Sequence, residues 1–294
     1  MELVLEGDIV RGGTEARERF YDSRGYGRPV SGGLELAPVE AAHLCYRGDV
    51  EAVRDAGSDE LHSFQGLLSS AAVSAIPFLV YKDLRDRGFY LSPAREGWVD
   101  DPAGADFVVY PRGQGPWDDA VAYRVRAESE RTDVPAPSLG GNVLAVVDEE
   151  SAITYLETSQ PDITGSTTVD LPTDVAADLL DDRVLVWEPP EGLYREAFYG
   201  QPLEESTGKP LQLSLIEAAA LAGEGVLDVA GGEDAIVECG RAVEGERFDR
   251  RLAVYRALRA RGVVPKTGYK FGADFRTYAD VESVDSLGHS ELLV

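Results

Sequence analysis

The chain holds three histidines, His43, His62 and His289. Histidine is the side chain whose ordinary pKa lies nearest neutrality, so each is a candidate for proton transfer. His43 lies in "VEAAHLCY", patterned as a helix, and His62 in "DELHSFQG", a helix or loop. Both read as structural. His289 differs, because it follows Tyr278 by 11 residues at the start of the strand-like run "ELLV". The intervening loop, "ADVESVDSLG", is long enough for two neighbouring strands to bring Tyr278 and His289 together. Such a pair could move protons. The same spacing suits a strand-end tyrosine beside a surface histidine, and spacing alone leaves both readings open. Cys45 and Cys239 lack metal-ligand spacing. A chain of this size needs no disulfide staple, so they read as free buried thiols.

The elements that would position Tyr278 occur twice. Tyr278 closes the heptad "GADFRTY" (Gly272 to Tyr278), and "GADFVVY" (Gly104 to Tyr110) stands 168 residues upstream. "VYKDLRDRG" (Val80 to Gly88) matches "VYRALRARG" (Val254 to Gly262) at an offset of 174. At an offset of 177, Leu34, Leu36, Glu40, Ala41, Ala42, Leu44 and Gly48 meet identical residues from Leu211 to Gly225. Three blocks in one order, with drifting offsets, indicate a tandem duplication rather than a solenoid, whose period is far shorter. Ser214 with Glu217 is a capping box that starts a helix, and Pro38 suits the first helical turn of the other copy. Phe248, Leu252, Tyr255 and Leu258 share one helical face, with Gly262 placed to end it. "DFVVY", "DFRTY", "GNVLAVVDE" and "AITYLET" read as strands.

This predicts a mixed α/β (α+β) chain. Each copy has a helical, mixed N-terminal subdomain and a C-terminal subdomain with a mixed sheet flanked by helices. Copy one spans 1–160, with subdomains about 1–70 and 71–160. The Ser/Thr/Pro/Asp-rich stretch 161–175 is the expected linker. Copy two spans 176–294, with an N-terminal subdomain about 176–242 and an incomplete second subdomain about 243–294.

The net charge is −25, from 53 acidic and 28 basic residues, only four of them lysine (82, 209, 266 and 270). Such acidity suits a high-salt cytoplasm, where at about 1 M salt charges are screened within ~3 Å. It equally suits an acidic protein that avoids nucleic acid. Locally the sign reverses: from Arg247 to Arg276 seven Arg and two Lys face only Asp249 and Asp274. That patch reads either as an anion site or as a helix face with snorkelling arginines. No apolar run approaches the ~18–20 residues of a membrane span, and "MELVLEGDIV" lacks signal-peptide features, so a cytoplasmic, non-membrane protein is expected.

The stretch "YRALRARGVVPKTGYKFGADFRTYADVESVDSLGHSELLV" resembles the catalytic domain of the archaeal tRNA-splicing endonuclease (tRNA-intron endonuclease) family. The helix ending Leu-Arg-x-Arg-Gly, the Lys-Thr-Gly turn, Lys-Phe-Gly-x-Asp-Phe, then Tyr, then His-Ser occur in order. The duplication is similar to the branch in which one chain carries two copies and works as a homodimer, here of a halophilic type. The resemblance implies cleavage of precursor tRNA at bulge-helix-bulge junctions, with no metal and no cofactor. The 2′-hydroxyl attacks the adjacent phosphate, leaving 2′,3′-cyclic phosphate and 5′-hydroxyl ends. It implies Tyr278 as general base and His289 as general acid. A free tyrosine of pKa ~10 is ionised only about one part in a thousand at pH 7, so the role calls for a nearby cation. That cation also stabilises the phosphorane. The family uses a lysine just before the strand matched by "VLAVVD". That strand starts 36 residues after Phe107, whereas copy two has 19 residues after Phe275. The resemblance therefore places the lysine past Val294 and implies a C-terminally truncated chain. Lys266 and Lys270, in the "KTGYKFG" turn, do not match it.

Copy one carries Tyr110 but neither the histidine nor the lysine, so it is expected to be a structural, pseudo-catalytic half. Its acidic stretch from Arg126 to Gly141 resembles the family loop that enters a basic pocket on a neighbouring catalytic unit. The rival expectations are a non-catalytic structural or RNA-binding subunit that needs a complete partner, and an acidic enzyme using carboxylates. No carboxylate pair stands out to support the latter.

Overall fold

Leu3 and Leu5 point inward while Glu6 is exposed, a period of two that makes strand β1 (Leu3–Glu6). The structure, a computed structural model, describes residues 1–102, 104–118, 120–203, 210–281 and 283–294. Lys209 lies outside these. The chain divides into two units, Met1–Gln160 and Pro161–Val294.

In the first unit, β1 is followed by β2 (Ile9–Gly13), the short helix α1 (Thr14–Ala16), β3 (Arg28–Val30) and β4 (Gly33–Leu36). Then come helix α2 (Pro38–Tyr46), β5 (Val53–Asp55), β6 (Leu61–His62) and helices α3 (Phe64–Ser69) and α4 (Ala75–Asp86). The six strands form one sheet, ordered β3-β4-β2-β1-β5-β6. His62, expected in a helix or loop, is the last residue of β6 and pairs with Val53. A second sheet holds β7 (Leu91–Pro93), β8 (Phe107–Val109), β9 (Tyr123–Ser129), β10 (Val143–Val147) and β11 (Ile153–Glu157), ordered β11-β10-β9-β8-β7. It is mixed, since β9 and β10 run parallel and the other pairs antiparallel. One apolar core spans both sheets, from Leu3 and Phe20 to Phe107 and Val147.

The second unit opens with β12 (Val175–Ala176), β13 (Asp178–Leu179), β14 (Arg183–Val186), helix α5 (Glu191–Arg195), β15 (Gln201–Pro202) and β16 (Leu211–Ser214). Helix α6 (Leu215–Gly223), strand β17 (Leu227–Asp228) and helices α7 (Gly232–Glu244) and α8 (Arg247–Arg259) follow. The expected capping box starts α6: Ser214 Oγ accepts from Glu217 N at 3.3 Å, and Glu217 Oε2 accepts from Ser214 N at 3.1 Å. Phe248, Leu252, Tyr255 and Leu258 form the buried face of α8, as their spacing predicts. The chain ends with β18 (Val264–Thr267), β19 (Phe275–Tyr278) and β20 (Leu292–Leu293), a three-stranded antiparallel sheet. Among the described residues no helix is long and apolar enough to cross a membrane.

Each unit buries a carboxylate in the same way. Glu40, on α2, accepts from Gly27 N at 2.7 Å and Ala37 N at 2.9 Å. Glu217, on α6, accepts from Gly200 N at 3.0 Å and from Ser214 N. An arginine of a later helix, α4 in the first unit and α8 in the second, stacks on the tyrosine just before each glycine. Arg85 lies 3.9 Å from the Tyr26 ring and Arg259 lies 3.8 Å from the Tyr199 ring. His43 joins the first network through Tyr26 Oη at 3.0 Å. Burial, with the charges of Arg85 and Arg47, lowers its pKa to about 4, so it is a neutral core residue at pH 7.

Candidate active site

Strands β18 and β19 form a hairpin in which Val264 faces Tyr278 and Lys266 faces Arg276. Alternation along β19 sends Phe275 towards α8, where its ring lies 5.9 Å from Tyr255. Tyr278 points away from α8. It packs with Phe198, Val264 and Val281 in a small cluster separate from the unit's main core. Its ring centroid is 5.9 Å from that of Phe198, and Arg276 lies 5.7 Å from it. The residue is only 6% exposed.

His289 lies on the loop between β19 and β20 and is exposed. Val281, Val284 and Leu287 anchor that loop on the same cluster. Glu291, two residues past His289, is tied to both neighbours of Tyr278. Its N–H donates to Thr277 O at 3.0 Å, and its Oε2 accepts from Ala279 N at 2.7 Å. Tyr278 and His289 therefore lie near the same end of one sheet, the ring buried and the imidazole exposed. Among the described residues no hydrogen bond joins them.

The stretch read as a linker reaches this end of the sheet. Gly165 N donates to Arg261 O, Ser166 N to Ala279 O and Thr167 N to Gly262 O, at 2.8, 2.8 and 3.1 Å. Ser166 Oγ bonds Asp280 at 2.6 Å, and Thr167 Oγ1 accepts from Val281 N at 3.2 Å. The residues that leave Tyr278 are thus strapped from both sides, by Glu291 and by Gly165–Thr167.

The Lys266 side chain, on β18, is largely covered, at 12% exposed. Its ammonium donates to Glu217 Oε1 at 2.7 Å, Gly200 O at 3.0 Å and Phe198 O at 3.3 Å. Burial pushes the Glu217 carboxyl up, but the Lys266 charge and the N–H groups around it outweigh this and bring its pKa down to about 2. A cleft of about 550 Å³ opens beside this pair, lined by Gln212, Ser214, Arg251, Lys266 and Arg276 among others. The basic run is largely neutralised locally. Arg247 and Arg251 pair with Asp274, Arg251 also with Glu244, Arg256 with Glu233, and Arg259 stacks on Tyr199.

The first unit shows a different arrangement around Tyr110. Tyr110 is buried, and its hydroxyl donates to Ser92 Oγ at 3.0 Å. Burial raises its pKa despite that bond. Ser92 stands where Lys266 stands in the second unit: Ser92 pairs with Val108 on β8, as Lys266 pairs with Arg276 on β19. Here Glu40 has no lysine, and burial, only partly offset by the Ala37 and Gly27 N–H groups and Arg85, raises its pKa to about 7. The loop after Tyr110 packs Trp117 against Tyr21 and Tyr90. Sequence reading singled out neither Lys266 as the partner of Glu217 nor Phe198 and Glu291. The dipeptide Tyr-Gly shared by 26–27 and 199–200 was the available signal for the first two.

The family model described as tRNA intron endonuclease, N-terminal domain, matches residues 1–63 and again 175–238. The one described as tRNA intron endonuclease, catalytic C-terminal domain, matches 248–294, the segment holding Tyr278 and His289. The chain belongs to the tRNA intron endonuclease family. The tRNA-splicing endonuclease of Haloarcula marismortui is 66% identical over the whole chain, covering 85% of that relative. That of Natronomonas pharaonis is 60% identical at the same coverage. That of Methanococcoides burtonii is 37% identical over the whole chain and 86% of its own length. Family membership therefore extends over both units, and these relatives match the chain over its whole length.

Proposed function

We propose that the protein is a cytoplasmic tRNA-splicing endonuclease that cuts precursor tRNA at bulge-helix-bulge junctions. Tyr278 takes the 2′-hydroxyl proton, the 2′-oxygen attacks the adjacent phosphate, and His289 protonates the departing 5′-oxygen. The products are 2′,3′-cyclic phosphate and 5′-hydroxyl ends, formed without metal. The observation that carries this reading is the placement of Tyr278 and His289. Both fall in the segment matched by the catalytic-domain model, near one end of one sheet whose exit is clamped by Glu291 and Gly165–Thr167. Lys266 is not assigned as the required cation, because its ammonium is committed to Glu217 and two carbonyls. Lys270 belongs to the turn at the far end of β19 from Tyr278.

On this reading the chain is a tandem duplication: a structural repeat at 1–160, a connecting stretch at 161–175 and a catalytic repeat at 176–294. The double match of the N-terminal model, and the buried Glu with Arg over Tyr present in both units, support it. Two junctions need two cuts, which favours a symmetric homodimer. The acidic stretch from Arg126 to Gly141, whose first four residues finish β9, is the candidate to meet the cleft beside Lys266 and Arg276 on a partner copy. Unpaired bulge bases give recognition by shape, which depends less on salt than phosphate contacts do. The test is cleavage of a bulge-helix-bulge RNA by the full-length protein in high salt with chelator present. Cyclic-phosphate ends are expected, and 5′-phosphate ends would refute the mechanism.

A further inference from the structure

Phe198 has a backbone φ of +53°, in the left-handed region that strains a residue with a Cβ. The residue at the same place in the first unit is Gly25, with φ +63°. Each precedes a Tyr-Gly pair whose glycine N–H binds the buried carboxylate and whose tyrosine lies under the helix arginine. Glycine meets that backbone demand without strain, so the second unit keeps phenylalanine for its ring.

The surroundings are adapted to that ring. A Cβ on Gly25 would come within 2.8 Å of the Tyr90 ring and 3.0 Å of Pro116. Tyr90, whose carbonyl accepts from Tyr110 N, is replaced in the second unit by Val264, the register partner of Tyr278. A glycine beside a tyrosine has become a phenylalanine beside a valine. The Phe198 carbonyl is held by Lys266 Nζ at 3.3 Å and Arg259 Nη2 at 3.5 Å, and its N–H donates to Tyr194 O at 3.0 Å. The Lys266 ammonium also lies 4.7 Å from its ring centroid. The ring therefore has a fixed position, with Tyr278 on one side and Tyr194 edge-on at 6.0 Å. In the first unit the hydroxyl of Tyr110 is held by Ser92 instead.

We infer that Phe198 is a positioning residue for Tyr278: its strained backbone presents a ring wall that fixes the tyrosine while leaving the hydroxyl for substrate. The inference rests on the reading of Tyr278 as the base. The test uses the full-length protein with Phe198→Leu, Phe198→Tyr and Tyr278→Phe, melting curves for each, and 13C-ring-labelled tyrosine, with the Tyr278 signal assigned by its loss in Tyr278→Phe. Phe198→Leu is expected to shift the Tyr278 resonance and to lower the saturating single-turnover rate about tenfold or more. The half-saturating RNA concentration stays within about twofold. Phe198→Tyr, which keeps the ring, restores most of the rate and covers the case of a poorly folded leucine variant. A wild-type saturating rate in Phe198→Leu beside an inactive Tyr278→Phe would overturn this inference alone, as would a loss confined to RNA affinity. Full cleavage by Tyr278→Phe would overturn the catalytic reading and this inference with it.

Discussion

Replacing Glu217 with glutamine should be among the most destabilising single-atom exchanges in the second unit. The carboxylate is buried and accepts from Gly200 N, Ser214 N, Ser214 Oγ and Lys266 Nζ. Its pKa falls from the ordinary 4.5 to about 2. That difference corresponds to about 3 kcal/mol, as an order of magnitude, in favour of the charged form. Glutamine keeps one acceptor oxygen but leaves the largely covered Lys266 ammonium without its counter-charge, so the expected cost is about 3–5 kcal/mol. A depressed carboxyl pKa contributes stability above pH 4.5, and that contribution is lost as pH falls from 4.5 towards 2. The gap between wild type and Glu217→Gln should therefore be full at pH 7 and narrow below pH 4.5. Glu40 supplies the control. Its folded pKa is raised to about 7, so the charged form is disfavoured, and Glu40→Gln should cost only about 1 kcal/mol at pH 8. Unit-resolved amide hydrogen exchange is the assay, because it reads each unit separately. Equal costs for the two substitutions, or a Glu217→Gln cost under about 1 kcal/mol at pH 7, would refute the assignment of Lys266 as a structural cation.

Tyr110→Phe should leave RNA cleavage unchanged and lower first-unit stability by about 1 kcal/mol through the lost Ser92 bond, read by urea melts beside cleavage rates. Gly165→Ala would drive a Cβ into the Gly262 carbonyl, loosening the strap on Ala279 and Val281. A cost of about 1–3 kcal/mol and faster exchange at 279–281 are expected, and unchanged exchange there would contradict the strap. In the first unit His43 and Glu40 oppose each other on acidification. His43, held to about 4, costs stability as pH falls through 6.5, while Glu40, raised to about 7, adds stability as pH falls from 7 towards 4.5. His43→Gln should therefore leave a first unit that gains stability from pH 7 to 4.5, measured by the same exchange experiment.

Much of the scaffold was legible because it rests on local rules. The Ser214–Glu217 box, the Phe248–Leu258 face and the strands "DFVVY" and "DFRTY" depend on capping, period and branched residues near in sequence. The placement of Tyr278 near one end of its strand followed from the same patterns. What escaped the sequence depends on distant partners. Lys266 meets Glu217 across 49 residues, and Ser166 meets Asp280 across 114. No local pattern distinguishes a lysine in a turn motif from one held by three acceptors. Nor does a stretch rich in Ser, Thr and Pro announce that it docks, since three of its hydrogen bonds are made by backbone groups that every residue carries and the two side-chain ones meet partners 114 residues away. The left-handed Phe198 was hidden for the opposite reason: sequence preference assigns that conformation to glycine, and only the folded contacts of its carbonyl and ring hold it there.

The central claim is that Tyr278 and His289 perform the cleavage. Its most direct test is the single-turnover cut of a bulge-helix-bulge RNA by full-length wild type, Tyr278→Phe and His289→Ala, with product ends identified. His289 is exposed, so its removal should change stability by less than about 0.5 kcal/mol. The account predicts 2′,3′-cyclic phosphate and 5′-hydroxyl ends from wild type, with the cleavage rate reduced at least about a hundredfold in each variant while RNA binding persists. Near-normal cleavage by either variant would contradict it.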